Sequence, residues 1–423
     1  MQSIHTEKNS PQKPNLYKTL FATCIGNALE WFDIAVYAFF ANYIAKAFFP
    51  NTDETLSLIM TFASFGISFL IRPIGAVFLG NYADKHGRKA SLLASMILMM
   101  IGCLMIVIMP TYQTIGLTAP ILMIVARLIQ GFSAGGEFGS STAFLIEHFP
   151  ERKAFIASWQ FATQGVSTLL AALFGLILTN TLTESEISEW GWRIPFAFGL
   201  LIGPVGLYIR RYIDESPTFE KAEKTQYPLI EIILNQKSLF FIAVGLMMIS
   251  TAINYMLQYV PTYATKNLHL DSSTAYTATL VAGIILTFVT PLVGLLAEKV
   301  GRIPLMFASL VLLLVTVYPG FALTVDFISP TSLILLISWL ALLKSIYFAT
   351  VPSMMADIFP VKTRATGMAL SYNVSVTIFG GFAPMICTIL IRLTKSDLAP
   401  SYYLIAIGFI SLFALYQANA LKK

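Results

Sequence analysis

Gly80-Asn81-Tyr82-Ala83-Asp84-Lys85-His86-Gly87-Arg88-Lys89 is a charged stretch set between two long apolar runs. A shorter copy stands at Gly294-Leu295-Leu296-Ala297-Glu298-Lys299-Val300-Gly301-Arg302. In both, a Gly is followed four residues on by an acid, three further by a second Gly, and then directly by an Arg. The copies lie 214 positions apart in a chain of 423 residues, close to half its length. Glu147-His148-Phe149-Pro150 and Asp357-Ile358-Phe359-Pro360 repeat at nearly the same distance, 210 positions. Two halves derived from one duplicated membrane unit are expected. Each turn has to reverse the chain between two spans while staying in water. Glycine allows the close approach and positive φ this needs. The acid and base can pair across the turn or with neighbouring helix ends. A charged anchor that only fixes topology is the alternative, and it leaves the repeated spacing without a cause.

Hydrophobic residues make up 56% of the chain and charged residues 12%, with 32 Phe and a mean hydropathy of +0.73. A soluble domain carries about 25% charged residues, so the composition is that of an integral membrane protein. Cys24, Cys103 and Cys387 sit singly in apolar runs, which points to neither a disulfide framework nor a metal site. His5, His86, His148 and His269 fall in loops or at span ends, and neither a Ser/His/Asp set nor a phosphate-binding glycine loop occurs. An enzyme, an ATP-driven pump, a cofactor and a metal are therefore not expected. The net charge of +5 is distributed by topology, which makes nucleic acid an unsuitable partner. The polar first sixteen residues lead into an apolar segment without a cleavage site, so no removable signal is read.

At roughly 20 residues per apolar span the chain holds about twelve. They are placed at 17–46, 54–81, 89–110, 116–147, 153–181 and 190–213, then 237–265, 273–297, 302–324, 331–357, 363–393 and 398–420. The expected division is a six-helix bundle over 1–213, a linker over 214–236, and a second six-helix bundle over 237–423. With the N-terminus inside, inner segments hold 19 Lys and Arg and outer segments five. The positive-inside rule then places both termini and the linker in the cytoplasm. A multi-pass monomer in the inner or plasma membrane, with the lipid bilayer as its surroundings, is expected.

A charge at the bilayer centre costs about 2.5–3.5 kcal/mol on insertion scales, so each one needs a reason. Glu30 and Asp33 lie in the first span, Arg72 in the second, Arg127 and Glu137 in the fourth, and Lys344 in the tenth. Three acids balance three bases, as a set of buried pairs would require. Ion pairs are weak stabilisers in a low dielectric, so a functional reason gains weight. Asn27, Glu30, Asp33 and Tyr37 follow one another at helical spacing and share one polar face. In the fourth span Gly131, Gly135 and Gly139 recur every four residues, a face that admits a close helix neighbour.

The segment Gly26–Tyr37, the turn Gly80–Lys89 preceded by Arg72-Pro73-Ile74-Gly75, and Arg127–Glu137 resemble the signatures of the metabolite:proton symporters. That family, which includes proline/betaine, shikimate, citrate and 2-oxoglutarate carriers, belongs to the major facilitator superfamily. The resemblance covers most of the first half and, through the second turn and Arg364-Ala365-Thr366-Gly367, parts of the second. It implies an all-α membrane protein of twelve helices in two pseudo-symmetric bundles, a central site, and alternating access. Glu298 and Ile303 stand where the first turn has Asp84 and Lys89, which points to a weaker inner latch in the second half. Ala154 follows Arg152-Lys153 where family members often carry Gly.

The resemblance also implies that Asp33 and Arg127 approach each other and couple transport to protons, with Glu30 as the alternative carrier. Burial favours the neutral form of a carboxyl and a nearby Arg the ionised form, so separating such a pair would let the acid take up a proton. Lys344, with Tyr347 three residues on, suits a substrate carboxylate, with a pair to an acid on another helix as the alternative. Asn254 and Gln258 share one face of the seventh span, with Tyr255 and Tyr259 beside it. Gln160 and Gln164 recur in the fifth span beside Trp159, and Tyr372 and Asn373 interrupt the eleventh. With Arg72, Tyr37 and Glu137 they make a candidate pocket for a small carboxylate-bearing metabolite, an organic acid or a zwitterionic amino acid or betaine. A proton-independent facilitator or antiporter is the alternative. The expected cytoplasmic gate is Gly80, Asp84, Gly87, Arg88 and Glu147 in the first half, with Glu298, Arg302, Asp357 and Arg364 doing the same in the other half.

Overall fold

Helix is the dictated state for long apolar runs in a bilayer, because every backbone N–H and C=O must be satisfied within the segment. The computed structural model describes residues 16–86, 88–136, 150–201, 203–204, 232, 234–360 and 363–421, and among them every regular element is helical. The first half contains α1 (Leu16–Phe39), α2 (Ala41–Phe48), α3 (Glu54–Leu70), α4 (Arg72–His86), α5 (Arg88–Ile108), α6 (Thr118–Ser133), α7 (Lys153–Thr181) and α8 (Arg193–Gly199). The second contains α9 (Lys237–Lys266), α10 (Ser272–Val300), α11 (Arg302–Asp326), α12 (Pro330–Phe348), α13 (Val351–Ile358), α14 (Arg364–Ser375), α15 (Ala383–Thr394) and α16 (Ala399–Ala420). Eight helical stretches are long and apolar enough to cross a membrane, among them Glu54–Leu79 and all of α7, α9, α10, α11 and α16. Large apolar side chains turned outward, Phe241 at 68% and Phe413 at 64% exposure, suit lipid rather than water.

Local chemistry sets the helix ends. Asp53 accepts from the backbone N–H groups of Thr55 and Leu56 to start α3, and Asp271 accepts from Thr274 to start α10. Ser329 and Ser332 cap α12 reciprocally, with Pro330 in its first turn. Between α10 and α11, Gly301 takes φ +92°, so the second charged turn uses the freedom that glycine alone has.

Several expected spans are interrupted. The first breaks at Phe40, the second at Ile71, the tenth at Ala349 and Thr350, and the eleventh contains a π-helical turn over Val376–Gly381. Pro73, Pro352 and Pro384 follow the last three breaks, and their rings carry no N–H and crowd the preceding turn. The fourth span is described only to residue 136, the sixth to residue 204, and most of the linker lies outside the described residues. Across the two halves α7 lies along α10, and α3 packs against the π-helical turn and α15.

Candidate functional site

The polar residues of α1 do not look into one space. Asn27 donates to the Gln160 carbonyl at 3.1 Å and to Thr163 Oγ1, both on α7. Glu30 lies 3.9 Å from the Arg72 guanidinium at the start of α4. Asp33 turns toward α5 and α6, and the Tyr37 hydroxyl is hydrogen bonded to Ser64 on α3. Tyr37 therefore belongs to the interior of the first half, where its ring lies 4.4 Å from the Arg127 guanidinium, rather than to a pocket between halves.

Asp33 and Arg127 are both buried, with a closest N–O distance of 3.7 Å. Gln130, one turn beyond Arg127, stands between them. Its Oε1 accepts from Arg127 Nη1 at 2.7 Å and its Nε2 donates to Asp33 Oδ2 at 2.6 Å. The Cys103 thiol donates to Asp33 Oδ1 at 3.2 Å, and Arg127 Nη2 donates to Ser68 Oγ at 3.2 Å. Gln130 shares the face of Arg127 at the i+3 position, but a neutral side chain in an apolar run gives no sign of which neighbour it holds. Nothing in the sequence marks Cys103 or Ser68.

Arg72 stacks on Phe69 at 4.4 Å and lies 5.7 Å from Trp31, while it faces Glu30. Tyr255 of α9 enters this aromatic group from the second half, 5.4 Å from Phe69, 5.8 Å from Phe65 and 6.4 Å from Trp31. Tyr372 of α14 is hydrogen bonded to Gln164 of α7 and lies in the field of Arg72 and Glu30. Asn373 donates to the Gly135 carbonyl at 3.2 Å, and Thr377 to the Phe69 carbonyl at 3.0 Å. The two halves thus meet through polar as well as aromatic contacts.

Lys344 is fully buried on α12. Its ammonium donates to Asn254 Oδ1 at 2.5 Å and lies 4.5 Å from the Phe348 ring, which stacks on Phe161 of the first half at 4.1 Å. Among the described residues no carboxylate lies within 4 Å of it. Tyr347 has another task, donating to the Leu246 carbonyl at 3.0 Å as a helix–helix hydrogen bond. Tyr259 accepts from Thr388 at 3.2 Å and packs edge-on against Phe62 of the first half. Among the described residues, Gln164 Oε1, the Tyr255 hydroxyl and Gln258 Oε1 are buried without a hydrogen-bond partner. Such atoms are costly unless something polar comes to meet them.

Contacts between the halves close both ends of this region. At one end Asp53 pairs with Arg392 at 2.7 Å, Glu54 with Lys266 at 2.6 Å, and Asn42 donates to Thr265 at 3.1 Å. At the other, Glu298 accepts from the backbone N–H groups of Ala154 at 2.6 Å and Phe155 at 3.2 Å, and Lys153 faces Asp357 at 3.7 Å. Glu298 therefore caps α7 across the halves instead of engaging its own half, a correction to the expected gate. Arg302 pairs with Asp357 at 2.7 Å and Arg364 Nε donates to the Ala356 carbonyl at 2.7 Å, both within the second half. Gly87, Glu137, Gly139 and Glu147 lie outside the described residues, and for Gly80, Asp84 and Arg88 only their place in α4 and α5 is described. Asp33, Arg127 and Lys344 open onto neither of two cavities. One, of about 150 Å³, sits beside Lys266, Lys46 and Glu184; the other, of about 450 Å³, lies on the surface between α11 and α16.

The sequence profile of the Major Facilitator Superfamily matches residues 23–384 and 264–420. The chain is 38% identical over 403 residues to a citrate-proton symporter of Klebsiella pneumoniae, covering 93% of this chain and 90% of that one. It is 32% identical over 415 residues to the proline/betaine transporter of Escherichia coli K12, covering 94% and 82%. A solved D-xylose-proton symporter has the same fold, with a TM-score of 0.76 at 17% identity over 95% of this chain and 97% of that one.

Proposed function

This chain belongs to the major facilitator superfamily, and from that premise we infer that it is a proton-coupled symporter of a small carboxylate-bearing metabolite, working by alternating access. One observation carries the reading: the buried charges are partnered unequally. Asp33 has Arg127, and Glu30 has Arg72, while the ammonium of Lys344 rests on an amide and, among the described residues, meets no carboxylate. A desolvated ammonium without a counter-charge is poorly stabilised, and a substrate carboxylate would supply what is missing. A pair such as Asp33 and Arg127 holds a proton only when its partners move apart, which ties proton uptake to a change of conformation.

In this reading Lys344, Asn254, Gln258, Tyr255, Gln164, Gln160, Tyr372 and Asn373 face the substrate, with Arg72 and Glu30 at the edge of the site. Asp33 carries the proton. The bundles are 1–213 and 237–423 joined by 214–236, the protein works as a monomer, and both termini lie in the cytoplasm, in keeping with the Lys and Arg distribution. The end closed by Glu298 and Asp357 is then the inner one, where Asp84 and Arg88 would act as counterparts in the first half.

The names of the relatives point to citrate and to proline or betaine as first probes. Purified protein is screened for thermal stabilisation by organic acids, amino acids and betaines, and each hit is tested in proteoliposomes with and without an inward proton gradient. Accumulation above equilibrium only with the gradient is expected. Equilibration alone, unaffected by the gradient, would assign the chain to facilitators instead.

A further inference from the structure

We propose that Gln130 is the positioning residue of the proton-binding pair, holding Asp33 and Arg127 apart so that the pair can be separated. The inference rests on the reading of Asp33 as the proton-carrying acid. At 3.7 Å the two charges are beyond hydrogen-bond reach, whereas the carboxamide between them makes bonds of 2.7 and 2.6 Å. A carboxamide is an uncharged group that offers an acceptor to the guanidinium and a donor to the carboxylate at once.

The arrangement has a consequence for the charge change. When Asp33 takes up a proton, its carbonyl oxygen still accepts from Gln130, and Arg127 still donates to Gln130 and to Ser68. The Arg127 guanidinium also keeps the ring faces of Tyr37 at 4.4 Å and Phe65 at 5.4 Å. These bonds through Gln130 and Ser68 survive the change of charge, so once the pair has opened the proton is gained or lost without breaking them. A direct Asp33–Arg127 bond would have to be broken outright each time.

The fold makes room for this side chain. Gly102 on α5 faces Gln130, and a methyl group there would come within 2.5 Å of its Cγ. Among the described residues, the other titratable or charged groups around the pair are Glu30 and Tyr37 on α1 itself, Cys103 on α5, and Arg72 on α4, which acts on Arg127. From α3 come the hydroxyls of Ser64 and Ser68 and the Phe65 ring, and Gly199 of α8 lies close to Asp33.

Two full-length variants test the idea in proteoliposomes, with citrate and proline as probes over external pH 5 to 8.5. Gln130→Met keeps the length of the side chain and removes its hydrogen bonds. Gly102→Ala keeps every polar group and displaces the Gln130 stem. In both, Arg127 closes on Asp33, and the pH of half-maximal gradient-driven uptake falls, by about one unit in Gln130→Met, within the range an Arg neighbour imposes. A rate that falls with an unmoved midpoint in both variants, or a midpoint that rises, overturns the inference. Asp33→Asn in the same assay separates the two levels. If it retains gradient-driven accumulation, the reading of Asp33 fails. If it loses accumulation while both other variants keep the wild-type midpoint, only the role of Gln130 fails.

Discussion

At Lys344 an ammonium removed from solvent rests on one amide oxygen and one aromatic face. A carboxylate brought to about 4 Å would gain roughly 4 kcal/mol at an effective dielectric constant of 20, more than either present partner supplies. Lys344→Met is therefore expected to raise the KM for a carboxylate substrate about tenfold to a hundredfold, the scale of a charged hydrogen bond. Its thermal stability should be unchanged or higher, since a desolvated charge has gone. An unchanged KM in uptake assays would argue against the contact. At the rim the logic differs. The N–H of Leu56, with Arg392 and the N–H of Thr55, holds the Asp53 carboxyl below its ordinary range. A depressed value means its contribution is present above the unfolded value of about 3.9 and is lost only as pH falls through the folded one. Asp53→Asn should therefore scale uptake equally at every pH from 5 to 8, and a displaced pH midpoint would contradict this. The buried charges were legible in the sequence because an ionised group in an apolar run always needs a cause. Gln130 and Cys103 were not, because neutral side chains in such runs look alike whether they hold a neighbouring helix or an active acid.

Elements were readable to the extent that lipid imposes them. The stretch 153–181 is α7 residue for residue, and 237–265 differs from α9 by one position, since apolar length between charged ends fixes both. Breaks at Ile71 and Thr350 were less evident, because a proline in a membrane helix can be tolerated as well as end it. They matter because Arg72 and Phe348 sit beside them. The glycines of α6 and of the turn after it show why no larger residue stands there: a methyl on Gly131 would run into the Ser68 carbonyl, and one on Gly135 into that of Arg72. Gly131→Ala is expected to cost about 1–3 kcal/mol by overpacking, seen as a lower melting temperature of the detergent-purified protein. An unaltered melting temperature would mean that α3 and α6 are free to separate.

In the whole molecule, ties between the halves stand at both ends of the central region, and the charges of the site are buried between them. Duplication of the charged turn announced the two-fold plan, but Glu298 reaching across to the start of α7 could not be read from spacing, since the sequence does not say which helix end lies opposite. Glu298→Gln weakens a charged cap on α7, worth about 1 kcal/mol, and, on the proposal that this end is the cytoplasmic one, should raise the labelling of cysteines placed at that end of the central region about fivefold. Unaltered labelling would show that this tie does not hold that end closed. The central claim, that Asp33 carries the proton, is tested most directly by Asp33→Asn in proteoliposomes, with correct folding checked by its elution and melting temperature. Gradient-driven accumulation of the substrate that the wild type concentrates should be abolished at every pH. Accumulation equal to that of the wild type would contradict the account.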